Sequence, residues 1–156
     1  MTAPTIPLPA SGSDVSSSVP LQACLVGLLD LALQGKQAHW NVVGPRFRPV
    51  HLELDEIVAS AHDGVDAVAE RLAALGVAPD GRAATVAATS PLEPFPAGPV
   101  PDREATSLVG GRLEVVTALL RRSIDETAAD PISQGILIVI GEALEKHAWM
   151  LRAQAS

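Results

Sequence analysis

His51, Asp55, His62 and Asp66 recur along one stretch of the chain at helical spacing, with Glu70 at the margin of the row. At about 100° per residue the first four lie within roughly a third of a turn. Imidazole and carboxylate on one face suit Fe(II), Mn(II) or Zn(II) better than Ca(II), which prefers oxygen alone. His51 and Asp55 are four residues apart, as are Asp66 and Glu70, so each pair can converge on one ion. Asp55 and Asp66, however, are separated by about 16 Å of helix axis. Ligands to one ion lie about 2.0–2.2 Å from it, so the two pairs of one chain cannot share an ion. Two copies packed antiparallel about a two-fold axis can, and would form two equivalent sites. His39, in His39-Trp40-Asn41 before a Gly44-Pro45 turn, can swing towards His51. The set is then His39, His51, Asp55, Asp66 and Glu70.

A long helix must carry these groups. Leu54, Ile57, Val58, Ala61, Val65, Val68, Leu72 and Leu75 make its apolar stripe, centred about 115° from the ligand stripe. The ligands therefore face away from the core. Pro49 opens this second helix and Gly76 closes it. A first helix starts at Pro20, behind Ser16, Ser17 and Ser18, and runs to about Val43. Asp102 caps a third, reaching about Ala128, and Asp130-Pro131 starts a fourth that runs to about Gln154. Residues 77–101 hold Pro79, Pro91, Pro94, Pro96, Pro99 and Pro101 and form a long crossover, with one short helix near residues 82–88 behind Asp80. Two helical hairpins joined by one long connection predict an all-α, ferritin-like four-helix bundle over residues 20–154, with residues 1–19 a flexible tail. Ordinary ferritin ligands come from Glu-x-x-His and point inward; no Glu-x-x-His occurs here.

Composition agrees with that fold and excludes several functions. The 156 residues are 47% hydrophobic, with no Tyr, two Phe and two Trp, which favours Ala/Leu/Val helices over sheet. Eleven Lys and Arg against 18 acids leave a net charge of -7, so no basic nucleic-acid-coating surface is expected. The single Cys24 cannot form an intrachain disulfide. No signal-peptide pattern precedes the first helix, and the most apolar run, residues 136–140, is too short to span a bilayer. The expectation is a soluble cytoplasmic protein with no membrane partner.

Lys36-Gln37-Ala38-His39-Trp40-Asn41-Val42-Val43-Gly44, Phe47, His51, Asp55-Glu56 and Asp66-Ala67-Val68-Ala69-Glu70-Arg71 together resemble the Dps family, the mini-ferritins named for DNA protection during starvation. Leu144-Glu145-Lys146-His147-Ala148-Trp149 resembles the family's closing segment, so the likeness covers about residues 20–153. The resemblance implies a homo-oligomer, a hollow dodecamer. It also implies a ferroxidase centre at each two-fold interface, with His39, His51 and Asp55 from one chain and Asp66 and Glu70 from its partner. Iron, Fe(II) oxidised to Fe(III), is the implied metal. The resemblance further implies hydrogen peroxide as the preferred oxidant over oxygen, and storage of the ferric product as mineral in the cavity.

His62 is either an interface or solvent-facing histidine or an accessory iron contact. Trp40 either packs at an interface or relays oxidising equivalents. Two departures from the family pattern stand out. Gly135 occupies a position where many relatives carry an acidic pore residue; Asp125, Glu126 and Asp130 are the nearby acids, and Asp130 reads equally as a helix cap. The tails lack the Lys/Arg that relatives use on DNA: residues 1–20 contain none and the C-terminal segment holds only Arg152. Phosphate binding needs basic groups, so direct DNA binding is not expected. A nucleoid-coating protein is the rival function, and a bundle holding structural Zn(II) a third.

Overall fold

The structure, a computed structural model, describes residues 12–154. Four long helices carry the chain: α1 (Gly12–Asn41), α2 (Phe47–Ala74), α4 (Asp102–Glu126) and α5 (Pro131–Gln154). The crossover between the hairpins contains a short α3 (Ala83–Thr89). α1 packs along α2 and α4 along α5, and the hairpins close into a bundle through α1 on α4 and α2 on α5. This is the expected all-α ferritin-like bundle. Its centre is filled by fully buried leucines and isoleucine from all four helices, among them Leu21, Leu28, Leu54, Ile57, Leu113, Leu120, Leu137 and Leu144. Cys24 is buried in the same core, and burial pushes its thiol up to about 11.

α1 differs from expectation at its start. It begins at Gly12, so Pro20 lies inside the helix and residues 12–19 are helical; residues 1–11 of the expected tail lie outside the described residues. Proline removes one helical hydrogen bond and crowds the preceding turn. Ser17, only 2% exposed, shows that this turn is packed against the bundle, and tertiary packing outweighs the local start signal. The stretch Ser16–Asn41 is long and apolar enough to cross a membrane by length and composition. Its apolar residues Leu21, Leu25, Leu28 and Leu31 instead form the bundle core.

α2 ends as Gly76 demands. Gly76 takes φ 77°, its N–H donates to Ala73 at 2.9 Å, and the Val77 N–H donates to Leu72 at 3.0 Å. This is a Schellman stop, which satisfies carbonyls the helix would leave unpaired. Two short strands absent from the sequence reading, β1 (Val42–Val43) and β2 (Val100–Pro101), pair in parallel and tie the end of α1 to the start of α4. Two residues per strand are too few for a periodic signal. The crossover itself is pinned by Arg112 of α4. Its guanidinium donates to the carbonyls of Glu93 and Pro94 at 3.1 Å each, bonds Gln34 of α1, and lies 5.0 Å over the Phe95 ring. A loop on the bundle surface must find partners for its carbonyls, and one buried arginine supplies several.

Candidate metal centre

The two histidines are brought together by the first hairpin turn. Gly44 has φ 129°, and a Cβ there would lie 2.7 Å from Oδ2 of Asp102, so only glycine fits. The same carboxylate accepts the Arg46 N–H at 2.7 Å. Asp102 was expected to cap its own helix; instead Pro101 precedes the first turn and the Asp102 side chain clamps the turn that precedes α2. This fixes the register of the last turn of α1 against the second turn of α2.

In that register the His39 and His51 rings stack, with centroids 3.7 Å apart and planes 21° apart. Nδ1 of His39 lies 2.9 Å from the His51 carbonyl, and Nδ1 of His51 lies 2.9 Å from the His39 carbonyl. A carbonyl only accepts, so each ring carries its proton on Nδ1 and presents Nε2 as a lone pair. The His39 carbonyl is one that the end of α1 leaves without a helical donor, so the lock also finishes the helix. Reciprocal bonds of this kind orient metal-binding imidazoles before any ion arrives. Phe47 covers the outer side of His51 at 5.0 Å.

Asp55 stands next to this pair, with Oδ1 3.9 Å from Nδ1 of His39. Lys36 of α1 donates a hydrogen bond to the same oxygen. That bond, aided by the nearby imidazoles, holds the Asp55 carboxyl below the usual carboxylate range. Sequence reasoning quoted Lys36 without giving it a role. Its signal was available, since Lys36 lies one turn before His39 and so faces the same way.

Asp66 and Glu70 are exposed further along α2, as are His62, Glu56 and Asp63. Buried Leu54, Ile57, Val58, Ala61, Val68 and Leu72 occupy the other face, so the division between ligand stripe and core stripe is as the periodicity predicts. The chain brings His39, His51 and Asp55 to one place and leaves Asp66 and Glu70 apart from them. Among the described residues, no three His, Cys, Asp or Glu side chains of one chain converge as a metal site. Trp40 beside the histidines is 70% exposed.

Other motif residues have structural duties. Arg71, directly after Glu70, donates to both carboxylate oxygens of Asp130 at 3.0 Å and to the Ser133 hydroxyl at 2.9 Å. Asp130 also accepts the Ser133 N–H at 3.2 Å, which is the capping role. Burial pushes the Asp130 carboxyl up, but the bonds from Ser133 and Arg71 together outweigh it and hold it below its ordinary value. Its charge is thus engaged within the fold. Gly135 faces an apolar groove with Ile132 and Val139, which are largely exposed.

The ferritin-like domain family matches residues 21–156. The chain is 38% identical over 137 residues to the fine tangled pili major subunit of Haemophilus ducreyi, covering 85% of this chain and 71% of that protein. It is 35% identical over 149 residues to DNA protection during starvation protein 2 of Deinococcus radiodurans, covering 94% of this chain but only 62% of that relative's length. Among solved structures, Dps from Microbacterium arborescens in the high iron form superposes with a TM-score of 0.90 at 31% identity, covering 96% of this chain and 99% of that one.

Proposed function

The chain belongs to the Dps family of ferritin-like proteins, and from that premise we propose that it is a ferroxidase that stores iron. Fe(II) is the substrate, and the site is completed between two copies. His39, His51 and Asp55 of one chain face Asp66 and Glu70 of the partner subunit across a two-fold axis. The observation that carries this reading is the reciprocal lock of His39 and His51. It aims two lone pairs beside an ionised carboxylate, while two further carboxylates wait exposed on the same helix. A half-site with its own ligands oriented and incomplete in one chain fits a shared centre.

Asp55 of the first chain and the partner subunit's Glu70 are the anionic anchors, and that Glu70 can bridge two irons. Two ferrous ions each give one electron to one hydrogen peroxide, whose O–O bond breaks. With two waters the products are two ferric oxyhydroxide units and four protons. Peroxide is preferred over oxygen because its two-electron reduction by a pair of irons ends at the oxide level, whereas the same two electrons given to oxygen would leave peroxide behind. The mineral is held inside a hollow dodecamer in the cytoplasm, so both reactants of hydroxyl-radical chemistry are removed together.

The test is the double variant Asp55→Ala/Glu70→Ala. Peroxide-dependent Fe(II) oxidation, followed by ultraviolet absorbance after anaerobic loading, should fall at least about 100-fold while the assembly keeps its native mass. Undiminished kinetics would sink the assignment. Native mass also separates a closed cage from a filament of the kind that the pilus relative's name describes: the cage gives one mass of twelve chains, a filament a distribution. Direct DNA binding is not part of the proposal. Twelve copies at -7 each carry about -84 in charge, which repels phosphate. A gel shift by the purified assembly at roughly 0.1 M salt would bring the nucleoid-coating function back.

A further inference from the structure

His62 is the one member of the α2 ligand stripe that the proposed iron site does not use. It is exposed, and among the described residues no hydrogen bond, ion pair or ring contact engages its imidazole. Its place along the helix is specific. Asp55 and Asp66 have their midpoint between Ser60 and Ala61, and His51 and Glu70 share that same midpoint. A two-fold axis that joins each half-site to the partner's complement therefore crosses α2 there. His62 lies one and a half residues past the crossing, so it and the partner's His62 are offset by only about 4.5 Å along the helices. The same register sets each His62 across from the partner's Ala59. Ala59 is exposed, and its single methyl leaves the space an imidazole needs.

We propose that the two His62 imidazoles of a subunit pair form a second metal site, on the two-fold axis, for one divalent cation of the zinc class. The proposal rests on the shared-centre reading above, since that reading supplies the register. Helices in direct contact lie about 8–10 Å apart, a gap that two imidazoles bonded to one ion at about 2.0–2.1 Å each can span. Closing the interface takes both rings out of water, and ring nitrogens left without partners there are costly. Asp55 and Asp66 flank the rings but are engaged at the iron sites, about 8 Å along the helix on either side, and the facing Ala59 offers no polar side-chain group. One ion held by both lone pairs, with water in its remaining positions, satisfies the two rings together. Two neutral imidazoles suit Zn(II) and offer no anionic ligand to a ferric product. The ion therefore staples the subunit pair and takes no part in iron oxidation.

Calorimetric titration of the iron-free, full-length assembly with Zn(II) tests this on the parent and on His62→Ala. The parent should take up half an equivalent of Zn(II) per chain more than the variant, because two chains share one axis. Native mass should be the same for both, and Fe(II) oxidation should agree within about twofold. Equal zinc uptake by parent and variant overturns the proposal. So does a loss of one full equivalent per chain, which makes each His62 a ligand away from the axis. The double variant Asp55→Ala/Glu70→Ala keeps the two readings apart. If it loses Fe(II) oxidation while His62→Ala loses no zinc, the axis site alone fails. If it oxidises Fe(II) undiminished, the shared centre fails and takes the axis register with it.

Discussion

Two polar clusters sit on α2, and they are built on opposite terms. At its C-terminal end, Arg71, Asp130 and Ser133 bond one another from three directions, with the Arg71 and Asp130 side chains only 15% and 9% exposed. Near its N-terminal end, His39 and His51 are equally well held at Nδ1, yet each keeps Nε2 for something else, and Asp55 is half exposed with a lysine against it. The first cluster is closed: its charges satisfy each other, and its use is to fasten α5 to α2. The second is held in place but chemically incomplete. Orientation without saturation distinguishes a binding site from a strut, because a buried polar group with no remaining capacity has nothing to offer a ligand.

The closed cluster should show the largest effect on stability. Arg71→Gln leaves Asp130 buried without its cation and should cost about 3 kcal/mol in urea unfolding at neutral pH; a variant as stable as the parent would mean that the cluster is dispensable. Acid should erase the difference. Asp130 is held below its ordinary carboxyl value, so its contribution is present above the usual carboxylate pKa and is lost as pH falls through the depressed one. His147 adds an earlier step. It is 8% exposed and bonded to Ser60 at 2.9 Å, and burial depresses its imidazole. The folded state thus prefers it neutral, its contribution is full above about pH 6.5, and stability should begin to fall as pH drops from there.

The open cluster should respond through ligand binding. Lys36 occupies Asp55 as a cation that Fe(II) has to displace, so Lys36→Gln should tighten Fe(II) binding by about threefold with an unchanged unfolding midpoint. Weaker binding would instead make the lysine part of the site. The smallest effect is expected at His62, exposed on the same stripe. His62→Ala should alter the oxidation rate by no more than about twofold, and a larger loss would make it an iron contact.

Much of this was readable from residue order alone. The stripe Leu54 to Leu75 and the offset row His51 to Glu70 needed only the period of a helix, and the same spacing is the ground for proposing a site shared with a second chain. Gly76, Pro131 and the proline-rich crossover marked element boundaries to within a few residues. The start of α1 was not readable, because Pro20 is a strong local signal that packing around Ser17 overrides. Nor was the two-residue pairing of Val42 and Val43 with Val100 and Pro101, or the task of Asp102, whose partner Arg46 lies 56 residues away.

The sequence by itself determined which face of α2 is core and which carries the exposed row of histidines and carboxylates, since helical periodicity is a property of neighbours along the chain. Only the tertiary structure decided the rest. It set which nitrogen each histidine offers and which carboxylates are consumed by arginine. Those depend on distances across a turn or between helices, and no local pattern encodes them.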